Sequence, residues 1–583
     1  MTHWLERSRW AGRALLAVAV GSVWACGGPP APATPSAVER AMQSAIEAAA
    51  EIRVTEPTAQ RARSSRGMVA SASVPASEVG ARILAVGGNA ADAAVATGFA
   101  LAVTEPGMSG IAGRASIVIH TPRGSVHGID GLNTVPAAFA EGGAPGYDRA
   151  AVPGVVAALT RLHDEFGSLP LTEVMAPAIG LAEEGFELPV REAERLAAAA
   201  EELARFPASR ALFLRPDGTA PAQGERLVQE NLARTLRAIA REGPEVFYEG
   251  WIADSIHADM ARNGGFITRE DLAAYEALDA ILVEGRYRGH TLVSNFRPAS
   301  GHAVIQALQT LEALPDGASL MAGEGTWAAL VGQAMHQAIG DRGMSVGTEE
   351  ESAAYLTSPA HARERADELR LPGATQEVGA AQRVGAAAGH PGVADHPGYG
   401  GAVATEGDRE STTHFSVVDE AGMVVSITQS LGPSMGTRLV APGLGFLYAT
   451  RLGSEPGSRP SSTIAPTLVL TPGGEPYLAL GGAGDARIIS AVIQVVSRIL
   501  DQGLPLEEAM AAPRVHPTGP GELRMEEAPW APGTRTVLEE LGFQVEPTRS
   551  SYFGRVHAVL LDPDGMTGVA EPRWDGSAVG LDP

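Results

Sequence analysis

From residue 67 onward the apolar positions recur with two distinct periods. Met68-Val69-Ala70-Ser71 is an apolar run of strand length, and residues 76–86 carry helical spacing that stops at Gly87-Gly88. Residues 89–103 predict a second helix, crowded with Ala93, Ala94, Ala96 and Ala100, whose small side chains let neighbouring elements approach closely. Further helices are predicted over 154–166, 192–204, 231–240, 252–263 and 303–313, and residues 287–294 alternate as a strand would. Residues 414–419, a turn at Glu420-Ala421-Gly422 and residues 423–428 form a β-hairpin pattern. Two more strands, 467–470 and 477–480, precede a helix over 488–500. Strands with flanking helices imply a layered α/β architecture. An Ala-rich helical segment over 37–52 lies ahead of the ordered body, which is read as beginning at Gly67.

The chain has 583 residues, 45% of them hydrophobic and 19% charged. At roughly 100–200 residues per domain this allows two to four domains or one large two-part enzyme. The net charge of −24 repels phosphate backbones, so nucleic acid is excluded as a partner. With 69 Gly and 41 Pro against 5% aromatics, packing relies on small residues, tight turns and long loops.

The one cysteine, Cys26, rules out an internal disulfide and draws attention to the N-terminus. Arg7, Arg9 and Arg13 precede the apolar run Ala14-Leu15-Leu16-Ala17-Val18-Ala19-Val20, and small residues follow up to Ala25-Cys26. This is the layout of an export signal, too short to span a bilayer as a mature helix. Val23-Trp24-Ala25-Cys26 resembles a bacterial lipobox, which makes residues 1–26 a signal peptide and Cys26 its lipidation site. An ordinary signal peptide is the alternative. Residues 27–66 then hold a proline-rich tether and the N-terminal helix. Gly27 and Gly28 lack the aspartate of inner-membrane retention, so the expected location is the periplasm on the outer membrane, with membrane contact only through the lipid.

Residues 385–411 break the pattern as a Gly-rich loop. His390 and His396 lie there, but the flanking Pro and Gly fix no common face and no third ligand is near, so no metal is expected. The loop delivers Glu410-Ser411-Thr412-Thr413-His414 to the start of a strand. This segment resembles the maturation site of γ-glutamyltransferases, N-terminal-nucleophile hydrolases that cut themselves just before a threonine. Other family motifs follow in order: Gly87-Gly88-Asn89-Ala90-Ala91-Asp92, Glu105-Pro106, Val152-Pro153-Gly154-Val155, Phe247-Tyr248-Glu249-Gly250, Asp341-Arg342, Ser462-Thr463 and Gly481 to Arg487.

The resemblance implies a four-layer αββα sandwich built from two autoprocessed parts of one chain. Residues 67–411 become the large subunit and 412–583 the small one, which stay associated. Cleavage falls between Ser411 and Thr412. Thr412 is then the nucleophile, and its new α-amine, with a reference pKa of ~7.7–8.0, serves as the base. By the same resemblance Ser430 orients the nucleophile, the amides of Gly484 and Asp485 form the oxyanion hole, and Ser462 and Thr463 hold the donor carboxylate. Asp485 stands where the family has a glycine.

The donor pocket departs from the family. The arginine that clamps the donor carboxylate aligns with Leu132, the residues that hold its ammonium become Arg451 and Ser454, and an asparagine on the hairpin becomes Gly432. Arg114 and Arg438 replace glycines. The implied function is acyl transfer or hydrolysis of a γ-glutamyl amide such as glutathione, with water, an amino acid or a peptide as acceptor and no cofactor. An acylase for a donor lacking the ammonium, such as a glutaryl amide, is the alternative, and a catalytically weak surface-anchored binding relative is a second. A nucleotide site on Gly481-Gly482-Ala483-Gly484 is poor, because a P-loop Lys-Ser/Thr is missing.

Overall fold

The computed structural model describes residues 60–314, 320–369 and 410–581. Two seven-stranded sheets, each antiparallel throughout, lie face to face. The first contains, in spatial order, Ser577–Gly580, Gly67–Ser71, Glu410–Asp419, Val424–Pro433, Arg114–His120, Val126–Gly131 and Leu278–Asp279. The second contains Arg61–Ser64, Gly565–Val569, Arg555–Asp562, Pro476–Ala483, Thr467–Leu470, His290–Asn295 and Leu282–Tyr287.

Strand alternation sorts the apolar side chains into three cores. Phe415 and Val417 join Val69, Ile117 and Ile427 against the helices Ala90–Thr104, Val155–Phe166 and Leu171–Glu184. On the opposite face Val418, Met68, Ala70 and Val118 meet Val293, Leu468, Ala479 and Val559 of the second sheet. Beyond that sheet, Leu292, Val469 and Leu480 pack against the helices Gly301–Glu312, Glu324–Asp341 and Arg487–Leu500. The order helix, sheet, sheet, helix is the expected αββα sandwich. Because both faces of the inner strands are covered, they read as almost continuous apolar runs.

The buried helix Ala90–Thr104 shows how small residues set the spacing. Asn89 and Asp92 form a capping box at its start. At Gly98 a Cβ atom would lie 3.0 Å from Leu159 and 3.3 Å from Phe415, so only glycine lets the helix sit this close to the strand.

Three sequence readings are corrected. The single strand predicted over 287–294 is a hairpin whose turn, Arg288-Gly289, has φ of 50° and 80° at its two residues. Those positive angles reverse the chain in the middle of an alternating pattern. The ordered body starts earlier than Gly67, since Arg61–Ser64 pairs with Gly565–Val569 at a sheet edge. Glu410–Asp419 also begins two residues before Thr412. Residues 1–59 and 370–409, with Cys26, the helix predicted over 37–52, His390 and His396, lie outside the described residues. Among the described residues no helix is long and apolar enough to cross a membrane.

Candidate active site

The hairpin of Glu410–Asp419 and Val424–Pro433 sets Thr412 opposite Ser430 and Ser411 opposite Gly432. The register shifts between Ser411 and Thr412, so Leu431 is an extra residue on the partner strand. The Thr412 hydroxyl donates to Ser430 Oγ at 3.2 Å, and Ser430 Oγ donates to the Ser411 carbonyl at 2.5 Å. Gly432 N–H donates to the same Ser430 oxygen at 3.0 Å. One side chain thus touches both the hydroxyl and the carbonyl that flank the 411–412 peptide bond.

The neighbouring polar residues have other tasks. Thr413 turns to the helix face and donates to Glu105 Oε2 at 2.7 Å. Burial raises the Glu105 pKa, opposed first by Arg195 and then by the Thr413 hydrogen bond. His414 faces the second sheet between Thr428 Oγ1 at 2.8 Å and Ser416 Oγ at 3.1 Å. Burial, and then His557, hold its pKa well below the ordinary histidine value, so it is a neutral packing residue rather than a base. Gly481 makes room for it: a Cβ there would fall 2.5 Å from the ring.

Gly484 and Asp485 join the strand Pro476–Ala483 to the helix Arg487–Leu500. Their φ values are 122° and 59°, and Arg487 Nε donates to the Gly484 carbonyl at 2.6 Å. Ser462 and Thr463 are buried, with the Ser462 backbone fixed to Pro298 O at 2.7 Å and to Ser300 Oγ at 2.6 Å. Among the described residues no cluster of three His, Cys, Asp or Glu side chains has metal-binding geometry.

A narrow cavity, too small to hold a water molecule, is lined by Arg114, Leu132, Asn133, Val135, Arg451 and Pro460. Arg451 stacks 3.8 Å from the Phe139 ring centroid and donates to the carbonyls of Asp148 and Gly453. Arg114 is buried and reaches Thr450 O at 3.4 Å. Its Nη2 would lie 2.8 Å from a Cβ at Gly432. Arg438 is engaged elsewhere, with Ser434 O and, at 3.6 Å, Glu202. Ser454 is exposed.

A family model described as Gamma-glutamyltranspeptidase matches residues 76–581. The chain belongs to the gamma-glutamyltranspeptidase family. It is 33% identical over 561 residues to the Glutathione hydrolase proenzyme of Escherichia coli, covering 89% of this chain and 92% of that protein. It is equally 33% identical over 566 residues to the Acylase ACY 1 proenzyme of a Pseudomonas species, covering 91% and 96%. The crystal structure of a cephalosporin acylase from Bacillus halodurans superposes with a TM-score of 0.75 at 27% identity, covering 90% of this chain and 97% of that one.

Against the gamma-glutamyltranspeptidase pattern, the structure brings Thr412, Ser430 and Ser411 into direct contact and puts Leu132 and Arg451 on one cavity. Ser454 does not line it. Sequence reasoning missed the Glu105–Thr413 pair, although Glu105-Pro106 had been noticed as a motif. It also missed Phe139 as the platform for Arg451, because the two lie 312 positions apart in segments that no local periodicity relates.

Proposed function

We propose that this gamma-glutamyltranspeptidase relative cuts itself between Ser411 and Thr412 and then transfers acyl groups through an ester on Thr412. The observation that carries the reading is the chain of hydrogen bonds from Thr412 Oγ1 through Ser430 Oγ to the Ser411 carbonyl. The Thr412 oxygen keeps a lone pair for attack, while Ser430 polarises the carbonyl it attacks. The Ser411–Thr412 C–N bond breaks as the new ester C–O bond forms, and the nitrogen takes up a proton. Water then opens the ester, freeing the Thr412 amine and hydroxyl.

In the processed enzyme the amine accepts the Thr412 hydroxyl proton and the oxygen attacks the donor amide. The Gly484 and Asp485 N–H groups stabilise the oxyanion, the donor amine leaves with the proton, and water or an amine acceptor releases the acyl group. Names of the relatives offer two donor classes, glutathione and an acylase substrate. The pocket favours an acidic donor without an ammonium group. Leu132 and Arg451 share the cavity, and the position aligned with the family's ammonium-binding acid is the exposed Ser454. A donor ammonium beside Arg451 would be repelled by its guanidinium, a charge that Asp148 offsets only in part.

The test is a donor screen with matched γ-glutamyl and glutaryl anilides, alongside a denaturing gel. Thr412→Ala should stay one chain, and N-terminal sequencing of the small fragment of the native protein should begin at Thr412. A start at Thr413 moves the nucleophile, and a strong preference for the γ-glutamyl anilide removes the acidic-donor reading. We further assign export and lipidation at Cys26, supported by the signal-like pattern before it. Cys26→Ala should release the protein into the soluble fraction, and unchanged membrane association excludes that anchor.

A further inference from the structure

The turn between the helix Ala90–Thr104 and the strand Arg114–His120 grips the open end of the hairpin that carries Thr412 and Ser430. Glu105, which caps the helix, accepts from the Thr413 hydroxyl at 2.7 Å. Ser109 Oγ accepts from Gln429 Nε2 at 2.7 Å, and Gln429 lies opposite Thr413 in the register. The Met108 carbonyl accepts from the N–H of Leu431, the extra residue at the bulge, at 3.3 Å. The turn is itself tied down. The N–H groups of Met108 and Ser109 both donate to the Glu105 carbonyl at 2.9 Å, and Gly107 N–H donates to the buried Glu192 at 2.6 Å.

Glu105 is the costly member of this set. It is 4% exposed, and among the described residues its side chain has no ion pair and no hydrogen-bond donor other than Thr413. Burial raises its pKa, opposed first by Arg195, then by Thr413 and by Arg555. Beside it lies a cavity of about 220 Å³, lined also by Ser73, Thr104, Phe186, Arg195 and Trp574. That space gives water access to the carboxyl oxygen that Thr413 leaves free. An apolar side chain would fill this position at lower cost if packing were its only task. An acid kept here points to the hydrogen bond it accepts.

We infer that Glu105 is a positioning residue for the nucleophile: by accepting from Thr413 it fixes the end of the strand once Ser411 has left. The inference rests on the processing and acyl-transfer reading above. In the uncut chain Thr412 is held from both sides, since the strand runs on through Ser411 and Glu410. After the cut Thr412 is a chain end, and chain ends fray unless they are tied down. Ser430 meets its hydroxyl, while the next residue, Thr413, ties the new end to the helix layer through Glu105. An attacking oxygen displaced by about 1 Å loses up to about a hundredfold in rate.

Thr413→Val nearly keeps the shape of the side chain and removes the donated bond. Per mole of 412–583 fragment, it should lower kcat on an anilide donor about 10–100-fold and leave KM within about twofold. Thr413→Ser and Glu105→Gln, which keep a donor and an acceptor, should retain most of kcat, while Glu105→Leu should lose as much as Thr413→Val. Thr413→Val combined with Glu105→Leu should lose no more than either alone, as expected for the two ends of one bond. A kcat unmoved by Thr413→Val, or equal losses from Glu105→Gln and Glu105→Leu, overturns the inference. Hydrogen exchange over residues 412–415, read by mass spectrometry, needs no turnover. Thr413→Val should speed it, and more so in the cut protein than in the uncut Thr412→Ala background; unchanged exchange overturns the tie. If the native chain stays whole but exchange still depends on Thr413 and Glu105, the processing reading falls and the tie stands.

Discussion

Ser430 Oγ lies 3.2 Å from the Thr412 hydroxyl and 2.5 Å from the Ser411 carbonyl, so one serine touches both partners of the processing reaction. Gly432 N–H holds that oxygen from the far side at 3.0 Å. Ser430→Ala should therefore slow both formation of the 412–583 fragment and later turnover, each by about 10–100-fold, the scale of losing one positioned hydrogen bond in a reaction step. Ser430→Thr, which keeps the hydroxyl, should restore most of both rates. A time course on a denaturing gel and steady-state kinetics of the processed material read the two effects.

Asp485 occupies a left-handed backbone position, φ 59°, beside one of the amides assigned to the oxyanion. Aspartate and asparagine tolerate this conformation better than other residues with a Cβ, so the replacement of the family glycine is structurally affordable. Its charge is the chemical difference. Asp485→Asn keeps shape and backbone preference while removing a carboxylate near a developing negative charge. It should raise kcat about two- to tenfold, up to about 1.4 kcal/mol of barrier. Thermal stability should change little, and an unaltered kcat would place the carboxylate electrically remote from the oxyanion.

Glu571 is fully buried between Arg514 at 3.0 Å and Arg573 at 2.8 Å, and accepts from Val556 N–H at 2.8 Å. Burial alone would raise its pKa, but Arg514 and then Arg573 outweigh it, and the carboxyl sits below the ordinary glutamate value of 4.5. A depressed folded-state pKa gives stability that is present above 4.5 and lost as pH falls through the folded value. Glu571→Gln leaves the buried Arg514 without its charge partner, while Arg573 keeps Glu526 at 2.6 Å, and should cost about 3–5 kcal/mol at pH 7. The gap between native protein and variant should narrow below pH 4.5, because protonated Glu571 then resembles Gln. Denaturant melts at pH 7 and pH 4 test this, and a gap that widens in acid contradicts it.

The four-layer order follows from the family resemblance, while the strand and helix runs by themselves give only a layered α/β architecture, with strands covered on both faces reading as apolar runs such as Val417-Val418 and Val424-Val425. The predicted helices matched to within two residues at each end where alanine and leucine set a clear period, as in Ala90–Thr104. Leu171–Glu184 and Glu324–Asp341 went unread, since Pro177 interrupts one and Gly325, Gly332 and Gly340 dilute the other. Within the site, Thr412 and Ser430 are close in sequence and share a hairpin, so their pairing follows from register. A cleft beside Ser411 draws on residues from 108 to 574, and only the closed fold brings Arg555 and Trp574 against Arg191 and Arg195.

In the proposed donor pocket Arg114 packs against Gly432. Arg114 Nη2 would stand 2.8 Å from a Cβ at position 432, so the buried guanidinium and the missing side chain are one substitution in two places. Gly432→Asn alone should clash and cost about 1–3 kcal/mol, with an added contribution from its φ of 94°. Arg114→Gly alone should leave a cavity and also destabilise. Together the two changes remove the clash and fill the space, so their effects should fall short of the sum by about 1 kcal/mol or more in a double-mutant cycle. The same pair should shift donor choice toward γ-glutamyl anilide relative to glutaryl anilide, because a cation is removed and an amide carbonyl that can accept from an ammonium is added. Adding Arg451→Ala should move the ratio further in the same direction. Additive stabilities together with an unmoved donor ratio would separate Arg114 from Gly432 and assign the donor preference to Arg451 and Leu132 instead.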